Sequence, residues 1–306
     1  MALSQEVQQN ILFSNQLGLD KASQVPVAKT RALIDGIPPF PNPTPVAEVI
    51  NTTVAGTAIP VRIYIPTGEG PFPVVSYYHG GGFVLMSIDA VDEICRSICL
   101  KSGAVVMSVG YRLAPEYPYP AGSQDCITAT KWMIRQAGDY RGMGNRMAVA
   151  GDSAGGYMAL SVAQKLSSEG IVLRAQFAAY PATDHYTGHH ASWEENKQGY
   201  GLTAEVMKWF WDNFLTDAAL FTEASPLRAK NFAGLPPAMI ITCRYDPLRD
   251  EGKAYADKLQ AAGVKTVYTN YENVHGFLGR GEMGQQALQS ACDFLKDKFG
   301  NENELP

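Results

Sequence analysis

A serine set among glycines, Gly151-Asp152-Ser153-Ala154-Gly155-Gly156, is the first place where this chain could do chemistry. A hydroxyl attacks a carbonyl only when the backbone aims it outward and a nearby base takes its proton. The G-x-S-x-G spacing meets the first need. A strand turning abruptly into a helix holds the serine in a strained conformation, and side chains at Gly151 and Gly155 would collide with neighbouring elements. Gly156 lets the helix lie close to the sheet. Taken alone, the pattern also fits a space-saving turn with no chemistry in it.

Three further stretches supply what such a serine needs. His79-Gly80-Gly81-Gly82-Phe83 places three consecutive glycines after an apolar run, which leaves backbone N–H groups uncovered. Donors fixed where negative charge develops are each worth about 10²–10³ in rate. Gly81 and Gly82 are the expected donors, with the Ala154 N–H as a third; a flexible turn is the plainer alternative. Asp246, followed by Pro247, is a candidate acid, although an aspartate before proline is often only a turn former. Asp250 is better explained as a helix cap. His275, in Asn273-Val274-His275-Gly276-Phe277, lies beside a glycine in a loop. His185, His189 and His190 are far in sequence from any candidate acid. Gly188 between the first two, with no matched carboxylate, argues against a metal pair, and no metal or cofactor is expected. Asp184 is the runner-up acid.

The elements that must position these residues follow from periodicity. From residue 73 the chain alternates strand and helix: strands at 74–78, 104–109, 147–150, 173–179, 238–242 and 266–271, with helices near 89–102, 123–137, 158–166, 251–262 and 285–299. Such alternation implies right-handed crossovers and a mostly parallel sheet flanked by helices, an α/β fold. Ligands of these sheets bind beyond the carboxyl ends of the strands, which is where the candidate loops fall. An antiparallel pair at 48–54 and 61–65 precedes the alternation, and two amphipathic helical patterns (7–17 and 28–34) precede a proline-rich linker at 38–45. The rhythm breaks between 182 and 235, where a polar stretch and an aromatic-rich helix at 205–215 suggest an inserted cap. The expected division is therefore 1–45 as the N-terminal part of a cap, 46–181 as catalytic core, 182–235 as inserted cap and 236–306 as core continued. The last strand, at 266–271, is an exposed edge that could pair across a homodimer.

Composition narrows the setting. At 306 residues and 46% hydrophobic, the chain can bury a large core. A net charge of −5 with scattered Lys and Arg offers no basic face to nucleic acid. No signal peptide and no membrane span are visible. The five cysteines, an odd number set in apolar patterns, suit reduced core thiols and a cytoplasmic setting. Cys95 and Cys99 share a helical face without a second pair at zinc spacing, so packing explains them.

The chain order Ser153, Asp246, His275, on loops after three separate strands, is the α/β-hydrolase order. Asp246 would orient the imidazole, His275 would accept and return the proton, and Ser153 would form an acyl-enzyme that water releases. His79-Gly80-Gly81-Gly82-Phe83, Tyr111-Arg112-Leu113-Ala114-Pro115-Glu116, the Ser153 motif and Asp246-Pro247-Leu248-Arg249-Asp250-Glu251-Gly252 together resemble the hormone-sensitive-lipase-like family of bacterial carboxylesterases, in its GDSAG subgroup. The resemblance spans nearly the whole chain. It implies an α/β-hydrolase fold with a helical cap, the triad at Ser153, Asp246 and His275, an oxyanion hole of Gly81, Gly82 and Ala154, no cofactor, and frequent dimerisation.

The leading expectation is a serine carboxylesterase for uncharged short- to medium-chain esters. An amidase or arylacetamide-deacetylase-like hydrolase would use the same triad, and matched ester and anilide substrates discriminate them. A non-catalytic binding protein on this scaffold is the third reading; such proteins typically lack the serine or histidine, and both are present. Arg112 and Glu116 are expected to tie loops together beneath the site. Phe83, Tyr180, Trp209 and Phe210 are the expected pocket lining.

Overall fold

The computed structural model describes residues 3–300, so the first two residues of the expected cap and the last six of the expected core lie outside it. In chain order the strands are β1 (Glu48–Thr53), β2 (Pro60–Ile65), β3 (Phe72–Tyr78), β4 (Val105–Val109), β5 (Gly142–Asp152), β6 (Ala175–Ala179), β7 (Ala238–Tyr245) and β8 (Thr266–Val274). The helices are α1 (Gln5–Gln16), α2 (Val27–Asp35), α3 (Asp92–Ser102), α4 (Ala121–Gln136), α5 (Ala154–Ser168), α6 (Ala191–Glu195), α7 (Ala204–Phe214), α8 (Arg249–Ala261) and α9 (Gly281–Gly300). The strands form one sheet in the order β1-β2-β4-β3-β5-β6-β7-β8. β1, β2 and β4 pair antiparallel and every later pair is parallel, so the antiparallel pair expected from the sequence closes one edge.

Burial explains which strand sits where. Every residue of β4 and β6 is buried, as an inner parallel strand covered on both faces requires. β8 is half-exposed along most of its length and forms the other edge. Neighbouring side chains of β5 feed opposite cores: Met147 and Val149 pack on one face, Ala148 and Ala150 on the other. β5 is longer than its apolar run because its first residue, Gly142, pairs with Phe72 ahead of a register shift. Cys95, Cys99, Cys126, Cys243 and Cys292 are all buried free thiols.

The interrupted stretch holds a 3₁₀ turn (Tyr186–Gly188), the short α6 and the aromatic α7. Thr203 caps α7, its hydroxyl accepting from the Val206 N–H at 3.1 Å. α1 packs on β8, and the 3₁₀ turn Leu19–Gln24 packs on α7. Glu6 of α1 accepts hydrogen bonds from the Met283 N–H (3.1 and 3.2 Å) and Asn273 Nδ2 (3.2 Å), and Asn10 Nδ2 donates to Asn273 Oδ1 at 3.1 Å. The N-terminal helix is thus tied to the strand that leads into His275. No described helix is long and apolar enough to cross a membrane.

Candidate active site

Ser153 occupies the corner between β5 and α5 with φ +55° and ψ −120°, a region that side chains rarely adopt. The glycines around it are forced by contact. A Cβ at Gly151 would lie 2.2 Å from the Gly155 carbonyl oxygen, and one at Gly155 would lie 1.9 Å from that of Tyr78. The corner is held from both sides. The Ser153 N–H donates to Ala179 O at 2.8 Å, and the Ser153 carbonyl accepts from Tyr157 N–H at 3.0 Å.

Three loops remote in sequence converge here. Directly after β7 comes Asp246, which is fully buried and accepts the Leu248 N–H through Oδ1 at 2.9 Å. Its other oxygen lies 2.7 Å from His275 Nδ1. His275, directly after β8, places Nε2 2.8 Å from Ser153 Oγ. A carboxylate only accepts, so Nδ1 carries the imidazole proton and Nε2 is left to accept from the serine hydroxyl. The Tyr180 ring, 4.7 Å from the imidazole, covers the histidine's side.

The loop after β3 is built as tightly. Gly81 has φ +107° and a Cβ there would meet Leu85 O at 2.2 Å; Gly82 has φ +60° and a Cβ there would meet the Phe210 ring at 2.3 Å. The Gly81 carbonyl accepts from the Leu85 N–H at 2.8 Å, while the N–H groups of Gly81, Gly82 and Ala154 have no backbone acceptor among the described residues. His79 anchors the loop from below. Its ring stacks on Tyr111 at 4.3 Å, its Nδ1–H donates to Gly80 O at 2.7 Å, and its own carbonyl accepts the Tyr111 hydroxyl at 2.7 Å. Burial lowers its pKa to about 4, against the hydrogen bond to Gly80, so His79 is neutral.

A cavity of about 180 Å³ opens onto Ser153, His275, Gly81 and Gly82. That is similar to an apolar cavity of ~150 Å³ that takes up benzene. α1 with the residue after it, and α7, supply its far walls through Phe13, Leu17, Met207 and Phe210. Of the four residues expected to line a pocket, Tyr180 and Phe210 border this cavity and Phe83 and Trp209 do not. Phe83 turns away at φ +67° and is 1% exposed, stacked on Phe214 at 3.9 Å and edge-on to Tyr157 at 5.0 Å. Trp209 lies about 200° around α7 from Met207, so a helix that turns Met207 and Phe210 inward turns Trp209 away.

Other expectations are corrected. Asp184 cannot serve as the acid: His190 Nε2 is 3.0 Å from it, and Arg228 donates to both its oxygens at 2.7 and 3.0 Å. Burial opposes its charge, yet those hydrogen bonds prevail and hold the carboxyl below its usual range. Asp250 is not the helix cap. It sits in the first turn of α8, where it accepts from the Ser192 N–H at 2.8 Å and pairs with Arg249. Arg112 pairs with Asp125, and Glu116 with Arg31 of α2, which ties the loop after β4 to the N-terminal segment. Asp152, beside the serine, is a further residue of the site to which the motif alone assigns no role. Its carboxylate accepts the Tyr77 hydroxyl at 2.8 Å, and a Cβ at Gly80 would come within 2.5 Å of it. Lost hydration raises its pKa above the usual range, with the Tyr77 hydrogen bond working the other way.

Residues 75–279 match the alpha/beta hydrolase fold family. The chain belongs to the α/β-hydrolase family. The hydrolase is 36% identical over 269 residues to the carboxylic ester hydrolase LipN of Mycobacterium tuberculosis, an overlap of 84% of this chain and 70% of that protein. It is 40% identical over 250 residues to the esterase LipI of the same organism, covering 77% of this chain and 76% of that one. A solved α/β-hydrolase enzyme from the metagenome of Lake Arreo superposes with a TM-score of 0.88 at 38% identity, over 98% of this hydrolase and 99% of that chain. These relatives agree with the resemblance to the hormone-sensitive-lipase-like carboxylesterases that the four motifs carry.

Proposed function

We propose that this hydrolase is a serine carboxylesterase that cleaves esters of short to medium acyl chains through an acyl-enzyme. The observation that carries the reading is one imidazole bridging a hydroxyl at 2.8 Å and a buried carboxylate at 2.7 Å. Ser153 Oγ attacks the ester carbonyl as its proton passes to His275 Nε2, and the Asp246 carboxylate stabilises the imidazolium that results. The N–H groups of Gly81, Gly82 and Ala154 face the oxyanion. Collapse of the tetrahedral adduct breaks the bond to the alkoxy oxygen, which takes the proton from His275 and leaves as alcohol. Water then attacks the acyl-enzyme with His275 again as base, and the acid departs.

The cavity size supports a modest acyl group, and the walls from α1 and α7 support a cap formed by residues 1–45 and 182–235. The five buried free thiols support a reducing, cytoplasmic compartment. The open edge of β8 is the surface proposed for a homodimer, which sedimentation velocity tests. The decisive experiment is Ser153→Ala assayed on 4-nitrophenyl butyrate. We expect kcat to fall by about 10⁴-fold or more with the melting temperature kept, and covalent labelling by a fluorophosphonate to disappear. Retention of most of the activity would end the reading.

A further inference from the structure

The cavity beside Ser153 also contains a cation with no counter-ion. Arg280 lines it, five residues beyond His275 and just ahead of α9. Its backbone is fixed: the Arg280 N–H donates to Phe277 O at 2.8 Å, and its carbonyl accepts from the Gly284 N–H at 3.1 Å. Its guanidinium carbon lies over the Phe13 ring of α1, 3.4 Å from the ring centre. Among the described residues the side chain makes no ion pair and no hydrogen bond.

The anions nearby are already engaged. Glu93, also on the cavity wall, accepts from the Thr44 N–H at 2.9 Å and from the Thr44 hydroxyl. Asp152 holds Tyr77, and Glu6 holds the Met283 N–H and Asn273. Burial pulls the Arg280 guanidinium below its usual pKa, and the opposing influence of the Tyr180 hydroxyl does not offset the lost hydration. A guanidinium with one face on an aromatic ring keeps its N–H edge free, and that edge fits the two oxygens of a carboxylate. The same cavity reaches Ser153, so one small molecule can touch both.

We propose that the substrate is a half-ester of a dicarboxylic acid, its free carboxylate bound by Arg280 while Ser153 attacks the ester carbonyl at the other end. This rests on the esterase reading above and replaces the expectation of an uncharged ester. The products are the alcohol and the dicarboxylate.

The test compares monoethyl adipate with ethyl hexanoate, which share a six-carbon acyl skeleton, by ethanol release. The wild-type ratio of kcat/KM, adipate over hexanoate, is expected to exceed one and to fall as salt rises. In Arg280→Met, which keeps length and apolar contact with Phe13, the ratio falls at least tenfold, mostly through KM; Arg280→Lys lies between. A wild-type ratio below one, or a ratio within twofold of wild type in Arg280→Met, overturns the proposal. Should the methionine variant fail to fold, the wild-type ratio and its salt dependence decide alone. If wild type cleaves neither ester nor 4-nitrophenyl butyrate, the esterase reading itself has failed.

Discussion

At the carboxyl ends of β5, β7 and β8 the side chains of Ser153, Asp246 and His275 are joined by hydrogen bonds, whereas on the buried face of α7 the contacts are between rings. Asp246 divides its two oxygens between Leu248 and His275, and His275 divides its two nitrogens between Asp246 and Ser153. Above them, Phe83, Tyr157, Trp211 and Phe214 meet edge-on, tilted or stacked at 3.9 to 6.2 Å, with no direction preferred as a hydrogen bond prefers one. Directional bonds fix one proton arrangement. Ring packing fixes a volume, and many side chains can fill a volume. Substitutions in the two regions should therefore fail differently, the first in rate with the fold intact, the second in stability.

The largest separation is expected from Asp246→Asn. The amide can turn an N–H₂ toward His275 Nδ1, which selects the tautomer with the proton on Nε2 and leaves nothing to accept from Ser153. We expect kcat to fall about 10⁴-fold, with the melting temperature changed by little. A loss below tenfold would mean that the carboxylate does not set the tautomer. Phe83→Ala is the counterpart beneath α7. Removing a ring that is 1% exposed should cost about 3–5 kcal/mol in denaturant unfolding, while the folded fraction still takes up a fluorophosphonate at Ser153. Loss of labelling in the folded protein would show that the two regions are not separable.

The same contrast explains what could be read in advance. Glycine requirements at Gly151 and Gly81 are local, since a Cβ would lie 2.2 Å from a backbone oxygen four residues on, and the composition of each turn records it. The strand–helix alternation is likewise local, and it places Ser153, Asp246 and His275 beyond the carboxyl ends of the strands without any knowledge of distant contacts. Which way an aromatic points is not local. Phe83 leaves the glycine loop at φ +67° and so faces the core, and nothing in His79-Gly80-Gly81-Gly82-Phe83 records that angle. Trp209 and Phe210 are neighbours in sequence and both aromatic, and only the docking of α7 separates them. Arg280 lacked any signal, because a cation after a loop is usually solvated and its ring partner, Phe13, is more than 260 residues away in the chain.

His79 stands where the two regions meet, and it allows the smallest of these tests. Its folded pKa, about 4, lies below the 6.5 of a free imidazole. In the unfolded chain the ring binds a proton as pH drops through 6.5, but the buried ring does not do so until about pH 4. The unfolded state therefore binds more protons across that window, and stability rises with pH there. The contribution of His79 is complete above pH 6.5 and is lost as pH falls toward 4, at most about 3 kcal/mol for a shift of this size. Carboxylates titrate in the lower part of the same window, so a single curve cannot isolate the histidine. The difference between wild type and His79→Phe can, because phenylalanine keeps the stack on Tyr111 and titrates nowhere. Unfolding free energies measured at pH 7, 6, 5 and 4 should show the wild type losing more than the variant at each step. Parallel curves would mean that the ring beneath the glycine loop is hydrated after all, and the division between a bonded site and a packed roof would lose the residue that joins them.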